Sequence, residues 1–210
     1  MFFCKPKIAE PASERQVRIL DAAEQVFARA GFHSATMNDV AREAGMSPGN
    51  LYRYFPSKDA IIAALAERDR TEIAADFQNL DAGKGNVLDQ LEALGRRHLV
   101  DEPREKAVLT VQIWAEAARN GEMARMCAAI DGTVFDGLAE AFARAKANGE
   151  LPANLDDKRY LNAIFMMADG FFCRRATDPN FDPHEAADTL FAAMRGLASL
   201  LVVPESAETL

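Results

Sequence analysis

From residue 13 to residue 201 the apolar residues of this chain recur every three or four positions, and in no segment do they alternate with polar ones. A recurrence of 3.6 residues gathers side chains on one side of a helix, whereas a half-buried strand needs a period of two. The pattern confines the chain to all-α architectures. Residues 13–31, "SERQVRILDAAEQVFARAG", show it first: Ile19, Ala23, Val26 and Ala30 form one stripe, widened by Leu20 and Phe27. Ser13 and Gln16 stand at the spacing of a capping box, and Gly31 stands where a helix C-terminal glycine belongs.

The same reading predicts eight further helices. Thr36 opens one that runs to about residue 44, with Asp39 placed to meet the free amides and Gly45 to stop it. Ser47 and Pro48 start a third over 48–54, ended by Pro56. Ser57 caps a fourth that reaches about residue 80. After "DAGKGN" come stretches over 86–100, 104–119 and 122–147, the last ended by the Gly and Pro of "ANGELPANL". Two strongly apolar helices, about 156–176 and 183–201, complete nine. The expected organisation is an arm over 1–12, a three-helix domain over 13–58, a helical domain over 59–204 and a tail over 205–210.

With 210 residues, 49% of them hydrophobic, the chain has material for one or two cored domains. No apolar run has the length of a bilayer span, and the start lacks a long apolar stretch behind a basic head, so a cytoplasmic protein with no membrane partner is expected. Cys4, Cys127 and Cys173 are an odd set without CxxC spacing, which argues against a disulfide framework and a zinc site; no metal or cofactor is expected. Net charge is −8, the wrong sign for a protein that coats nucleic acid. The charge is uneven, however. Residues 1–60 hold eight Lys or Arg and seven Asp or Glu, a net of +1, which leaves −9 for the remainder. A local DNA contact is compatible with that division.

The stretch "GMSPGNLYRYFPSKDA" (45–60) sits between two short helices joined by a tight, glycine-containing turn, the helix-turn-helix spacing. Leu51 and Phe55 share a face and should pack against Val40, Ala41 and Ala44. Ser47, Gly49, Asn50, Tyr52, Arg53 and Tyr54 are then directed elsewhere. Tyrosine and serine hydroxyls and Lys58 suit phosphates, Asn50 and Arg53 suit base edges, and Gly49 permits close backbone approach. A short helical hairpin with surface tyrosines also fits a plain scaffold.

Residues 19–62, with "AAEQVFARAGF", Thr36, "VAREAGMS" and "LYRYFPSKDAI" in this order and spacing, closely resemble the amino-terminal domain of the TetR/AcrR family of transcriptional repressors. The resemblance implies a double-stranded DNA operator as partner. It implies phosphate contacts from Thr36, Ser47, Tyr54 and Lys58, and base contacts from Asn38, Pro48, Gly49, Asn50 and Tyr52. Pro48 and Gly49 carry no side-chain donors, so shape readout or the basic arm with Lys5 and Lys7 would supply part of the specificity.

The resemblance also implies a second domain that binds a small-molecule effector and forms a homodimer through its last two helices. Leu161, Phe165, Phe172, Leu190, Met194, Leu197 and Leu201 are the expected interface residues, because helices this apolar are buried on two sides. Trp114, Met123, Met126, Cys127, Phe165, Met166, Asp169 and Cys173 are the candidate cavity residues. Asp169, alone in an apolar stretch, suits a cationic ligand. A Met or aromatic at helical spacing is nonetheless more often core than cavity lining. A redox role for Cys127 and Cys173 is disfavoured, since both are expected to be buried and inert.

Catalysis finds no support. His33, His98 and His184 are scattered, there is no GxSxG, and "AGKGN" lacks the P-loop spacing. A helical adaptor that binds proteins is the other rival; salt-dependent binding to a duplex separates it from a repressor.

Overall fold

The computed structural model describes residues 12–80 and 85–203, and among them nine α-helices and no strand. Lys5, Lys7, Cys4 and the tail over 205–210 lie outside the described residues. Packing divides the chain between Leu65 and Ala66, inside a helix, and not at residues 58 and 59 as the sequence reading placed it.

The first unit comprises α1 (Ala12–Ala30), α2 (Met37–Glu43), α3 (Pro48–Leu51) and the first turns of α4 (Lys58–Gln78). Its core is most of the stripe expected from sequence: Ile19, Ala23, Val26 and Phe27 of α1 are buried with Val40, Ala41, Leu51, Ile61 and Ile62, whereas Ala30, at the end of α1, is exposed. Phe32 meets Phe27 edge-on at 5.6 Å between centroids, a geometry the ring quadrupoles favour. Two expectations shift. α1 is helical from Ala12, so Ser13 lies within it and not ahead of it. α3 ends at Leu51, and residues 52–54 continue as tight turns in which Arg53 N donates to Asn50 O at 3.3 Å and Tyr54 N to Leu51 O at 2.9 Å. Pro56 leaves no room for another α-helical turn.

The second unit holds the rest of α4, then α5 (Val87–Arg96), α6 (Arg104–Ala117), α7 (Gly121–Ala147), α8 (Asp157–Thr177) and α9 (Pro183–Leu200). α6 packs on α7 and α8, and α8 on α9. One core cluster joins Val87, Leu138, Phe142, Tyr160, Leu161 and Ala198; a second joins Leu99, Val100, Phe171, Leu190 and Phe191. The Tyr160 hydroxyl donates to Met194 O at 2.9 Å, and burial pushes its pKa up. No described helix is long and apolar enough to cross a membrane.

Two helix ends in this unit are completed from far along the chain. α7 stops at Gly149, whose φ of 75° is left-handed and favours glycine. Gly149 N donates to Lys146 O at 3.1 Å and Glu150 N to Ala145 O at 2.8 Å, the Schellman pattern. The turn directs the Glu150 carboxylate at the free amides of α5, accepting from Val87 N at 2.7 Å and Leu88 N at 3.3 Å.

The second case is the end of α5. The sequence predicts an ordinary helix over 86–100, but Arg97–Asp101 winds as a π-helical turn. Arg175 of α8, buried, donates to the carbonyls of Leu99, Val100 and Glu102, the Val100 contact being 3.0 Å. Arg104 answers with bonds to Arg175 O at 3.0 Å and Ala176 O at 2.6 Å. Burial drives the Arg175 pKa down, while Glu102, Glu105 and Asp101 pull it back up. Arg175→Met would keep the apolar stem and strip these carbonyls of their donors. We expect a loss of roughly 3 kcal/mol, read as a lower urea midpoint at unchanged m-value; an unchanged midpoint would mean that the carbonyls find other partners.

Candidate nucleic-acid interface and sensor unit

α2 and α3 are locked together by a buried apolar seam and a glycine turn. Val40, Ala41, Ala44, Leu51 and Phe55 are all buried, as the residue spacing predicts. Gly45 has φ 65°; its amide donates to Arg42 O at 3.1 Å and Met46 N to Ala41 O at 2.9 Å, again the Schellman pattern. Thr36 and Asp39 form a complete capping box: Asp39 N donates to Thr36 Oγ1 at 3.2 Å and Thr36 N to Asp39 Oδ2 at 3.0 Å. The Thr36 hydroxyl also donates to Asp39 Oδ2, at 2.6 Å. Those hydrogen bonds from Thr36 hold the Asp39 carboxyl below its usual range, helped by Arg42 and Arg29. Thr36 is therefore primarily a cap here, its O–H directed into the box.

With the seam buried, the opposite side of the pair is polar and unengaged. Asn38, Ser47, Pro48, Gly49, Tyr52 and Arg53 are exposed, Tyr52 to 51% despite its size. Among the described residues, the side chains of Asn38, Asn50, Tyr52 and Arg53 have no hydrogen-bond or ion-pair partner. Ser47 Oγ accepts from Asn50 N at 3.4 Å, which leaves its O–H available to donate. A Cβ added at Gly49 would meet no atom within 4 Å, so the fold itself does not require glycine there. Tyr54 is half-buried, its hydroxyl accepting from Arg15 Nη1 at 3.3 Å. Arg15 carries no local sequence signal, since its partner is 39 residues away.

Lys58 departs from expectation. Its ammonium is held by three backbone carbonyls of the α1–α2 corner and not presented outward with the other polar groups.

In the second unit the sequence-named cavity residues do not form one lining. Met123 is buried, Met126 and Cys127 are half-buried, Trp114 meets Phe172 edge-on at 5.8 Å, and Phe165 lies 6.5 Å from Phe135. Met166, at 68% exposure, and Asp169 and Cys173 lie instead on the outward side of α8. The expectation that Cys173 is buried is thereby corrected; Cys127 is half-buried, and burial first, Asp131 second, push its thiol pKa up. The Asp131 carboxyl is raised by desolvation and then by the charge of Asp169, itself raised by desolvation, although both residues are open to solvent. Asp131 belongs to α7 and Asp169 to α8, and both are exposed.

The interface expectation also changes. Leu161 and Leu190 are buried in the chain's own two clusters, and Phe165, Phe172, Met194, Leu197 and Leu201 pack against those clusters. An apolar helix in a single chain turns its best stripe inward. The apolar and small residues left outward include Met166, Gly170 and Cys173 on α8 and Ala193, Gly196 and Leu200 on α9, with Leu200 77% exposed. A Cβ at Gly170 or Gly196 would meet nothing within 4 Å. A shallow groove lined by Met167, Gly170, Phe171, Thr189 and Ala193 runs between the two helices.

Comparison with known proteins accords with this geometry. Residues 19–65 match the model for the bacterial regulatory proteins of the tetR family, and residues 88–202 match the carboxy-terminal domain of BetI-type transcriptional repressors. The HTH-type transcriptional regulator UidR of Escherichia coli K12 is 32% identical over 145 residues, covering 69% of this chain and 73% of UidR. The repressor KstR of Mycobacterium tuberculosis is 34% identical over 153 residues, covering 68% of this chain and 63% of KstR. Among solved structures, Salmonella enterica GusR superposes with a TM-score of 0.74 at 31% identity, covering 92% of this chain and 99% of GusR. Bacillus subtilis FadR, solved with stearoyl-CoA, shares the fold at a TM-score of 0.72 and 19% identity, over 85% of this chain and 96% of FadR. Transcriptional regulation, and not catalysis, is what these relatives have in common. With its amino-terminal helix-turn-helix region and the carboxy-terminal helical region both matched, this chain belongs to the TetR family of transcriptional regulators.

Proposed function

We propose that this regulator is a repressor that binds a palindromic operator as a homodimer and is released by a small, largely apolar molecule. The observation that carries the DNA reading is the set of polar side chains at Asn38, Tyr52 and Arg53, exposed, and Asn50, half-buried, with no partner among the described residues, arrayed beside Gly49. Bidentate amides and guanidinium groups read base edges, and Ser47 and Tyr54 are suited to phosphates. Together with Thr36 and Pro48 these residues make up the proposed DNA face.

Homodimerisation is supported by the outward stripes of α8 and α9. Glycines in helix interiors cost about 1 kcal/mol relative to alanine, and Gly170 and Gly196 answer no packing need within the chain. A second copy approaching closely at those positions accounts for them. The effector would sit among α6, α7 and α8, where Trp114, Met126 and Phe165 are half-buried. Asp131 and Asp169 favour a cationic or hydrogen-bonding group on that molecule, because an incoming cation would offset the repulsion that Asp131 feels from Asp169.

α4 belongs to both units. Its end is fixed in the second: Phe77 packs so tightly on Gly137 that a Cβ there would lie 2.3 Å from the ring. Asp76 binds Arg97 at 2.8 Å and His98 at 2.9 Å. Its start, through Ile61, Ile62 and Leu65, is core to the first unit. A ligand that alters the packing of α4 near Phe77 thus acts on an element that the DNA-binding unit shares.

Three experiments test this reading. Gly49→Ala should stabilise the free protein by up to about 1 kcal/mol yet weaken operator binding by about tenfold or more, while Asn50→Ala should change base preference in a selection from random duplexes; unaltered affinity and preference in both would remove α3 from the interface. Leu200→Asp should leave the melting temperature of the chain nearly unchanged, since the side chain is exposed, but sediment as a monomer that binds operator poorly; a persistent dimer would place the contact elsewhere. A ligand that lowers operator affinity about a hundredfold supplies roughly 2.7 kcal/mol of coupling, and saturating operator must weaken that ligand's binding by the same factor. Quenching of Trp114 fluorescence with and without operator measures this, and equal affinities would exclude the molecule as inducer.

A further inference from the structure

Lys58 contradicts its local setting. A cation in the first turn of a helix faces the positive end of the helix dipole, so its place calls for a tertiary cause. That cause is the corner between α1 and α2. Nζ lies 2.5 Å from Phe32 O, 3.1 Å from His33 O and 3.0 Å from Ala35 O, and 4.6 Å above the Phe32 ring. An ammonium has three N–H donors, and three carbonyls take all of them. The converging carbonyls and the ring face form a cage for a compact cation. Thr36, which caps α2, follows Ala35 directly, so the cage determines where α2 begins.

We propose that Lys58 is a positioning residue: it clamps the Phe32–Ala35 corner, thereby setting α2 and the α3 that packs on it, and it does not itself hold a DNA phosphate. The proposal rests on the operator-binding reading above. A lysine that left its cage for a phosphate would abandon three carbonyls, two of them part-buried, in exchange for a solvent-screened contact.

The two roles separate in salt dependence and in charge-conserving substitution. Losing one phosphate contact lowers the slope of log affinity against log salt by about 0.9. Arginine keeps the charge, but its flat fork does not fit three converging carbonyls. Lys58→Met and Lys58→Arg are compared with the wild type on a duplex that the wild type selects from a random-sequence pool, and by amide exchange of the free proteins over Phe32–Asn38 with core amides of α1 as reference. We expect both variants to exchange faster at the corner and to bind about tenfold or more weakly, with the salt slope unchanged. A slope lowered by about 0.9 in Lys58→Met, or full binding restored in Lys58→Arg, overturns the proposal, as does unchanged exchange at the corner. Should Lys58→Met fail to fold, Lys58→Arg carries the same comparison. A wild type that selects no duplex instead brings down operator binding itself, and the exchange data alone then decide whether Lys58 holds the corner.

Discussion

Where the described residues form helices and no strand, the backbone groups without partners collect where helices end, and this structure depends on how they are satisfied. Two cations do the same work in the two units. Lys58 gathers the carbonyls of Phe32, His33 and Ala35 where α1 turns into α2, and Arg175 gathers those of Leu99, Val100 and Glu102 where α5 turns into α6. Carboxylates act at the opposite polarity: Asp39 completes the box at the start of α2, and Glu150 receives the amides of α5. Each contact fixes the angle of a corner, and the corners fix which helix faces remain for function.

The glycines show how those remaining faces are used. Gly95 and Gly137 are filled by phenylalanine rings, with Phe191 2.6 Å and Phe77 2.3 Å from the position of an added Cβ. There the missing side chain lets helices of the same chain approach. Gly49, Gly170 and Gly196 have nothing against them within the chain. A helix glycine without an internal neighbour leaves room for a close approach from outside the molecule. For Gly49 the neighbour we propose is DNA, and for the other two a second copy.

The ion pairs on α5 and between α5 and α9 are of a different kind. Arg96 joins Glu92 and Asp188, and Arg195 joins Asp89 and Glu92, all partly open to solvent. Exposed pairs of this sort contribute up to about 1 kcal/mol each and weaken with salt. The large term beneath them is burial of Val87, Leu190, Phe191 and Ala198.

Period, caps and turn residues made the nine helices legible to within a few residues at each end, because they act within one or two turns of chain. The same local rules identified the seam of Val40, Ala41, Ala44, Leu51 and Phe55, and hence the polar residues opposite it, since a two-helix corner with a buried seam has only one other side. Apolar periodicity also marked α8 and α9 as buried, but it could not say on which side. Leu161 and Leu190 turn into the chain's own clusters and Leu200 outward, a choice made by the helices packed against them. The π-helical turn and the captured Lys58 were not legible either. Arg175 lies 76 residues from Leu99, and Lys58 lies 26 from Phe32. A cation's charge is written in the sequence, but the carbonyls that converge on it exist only once the helices are in place.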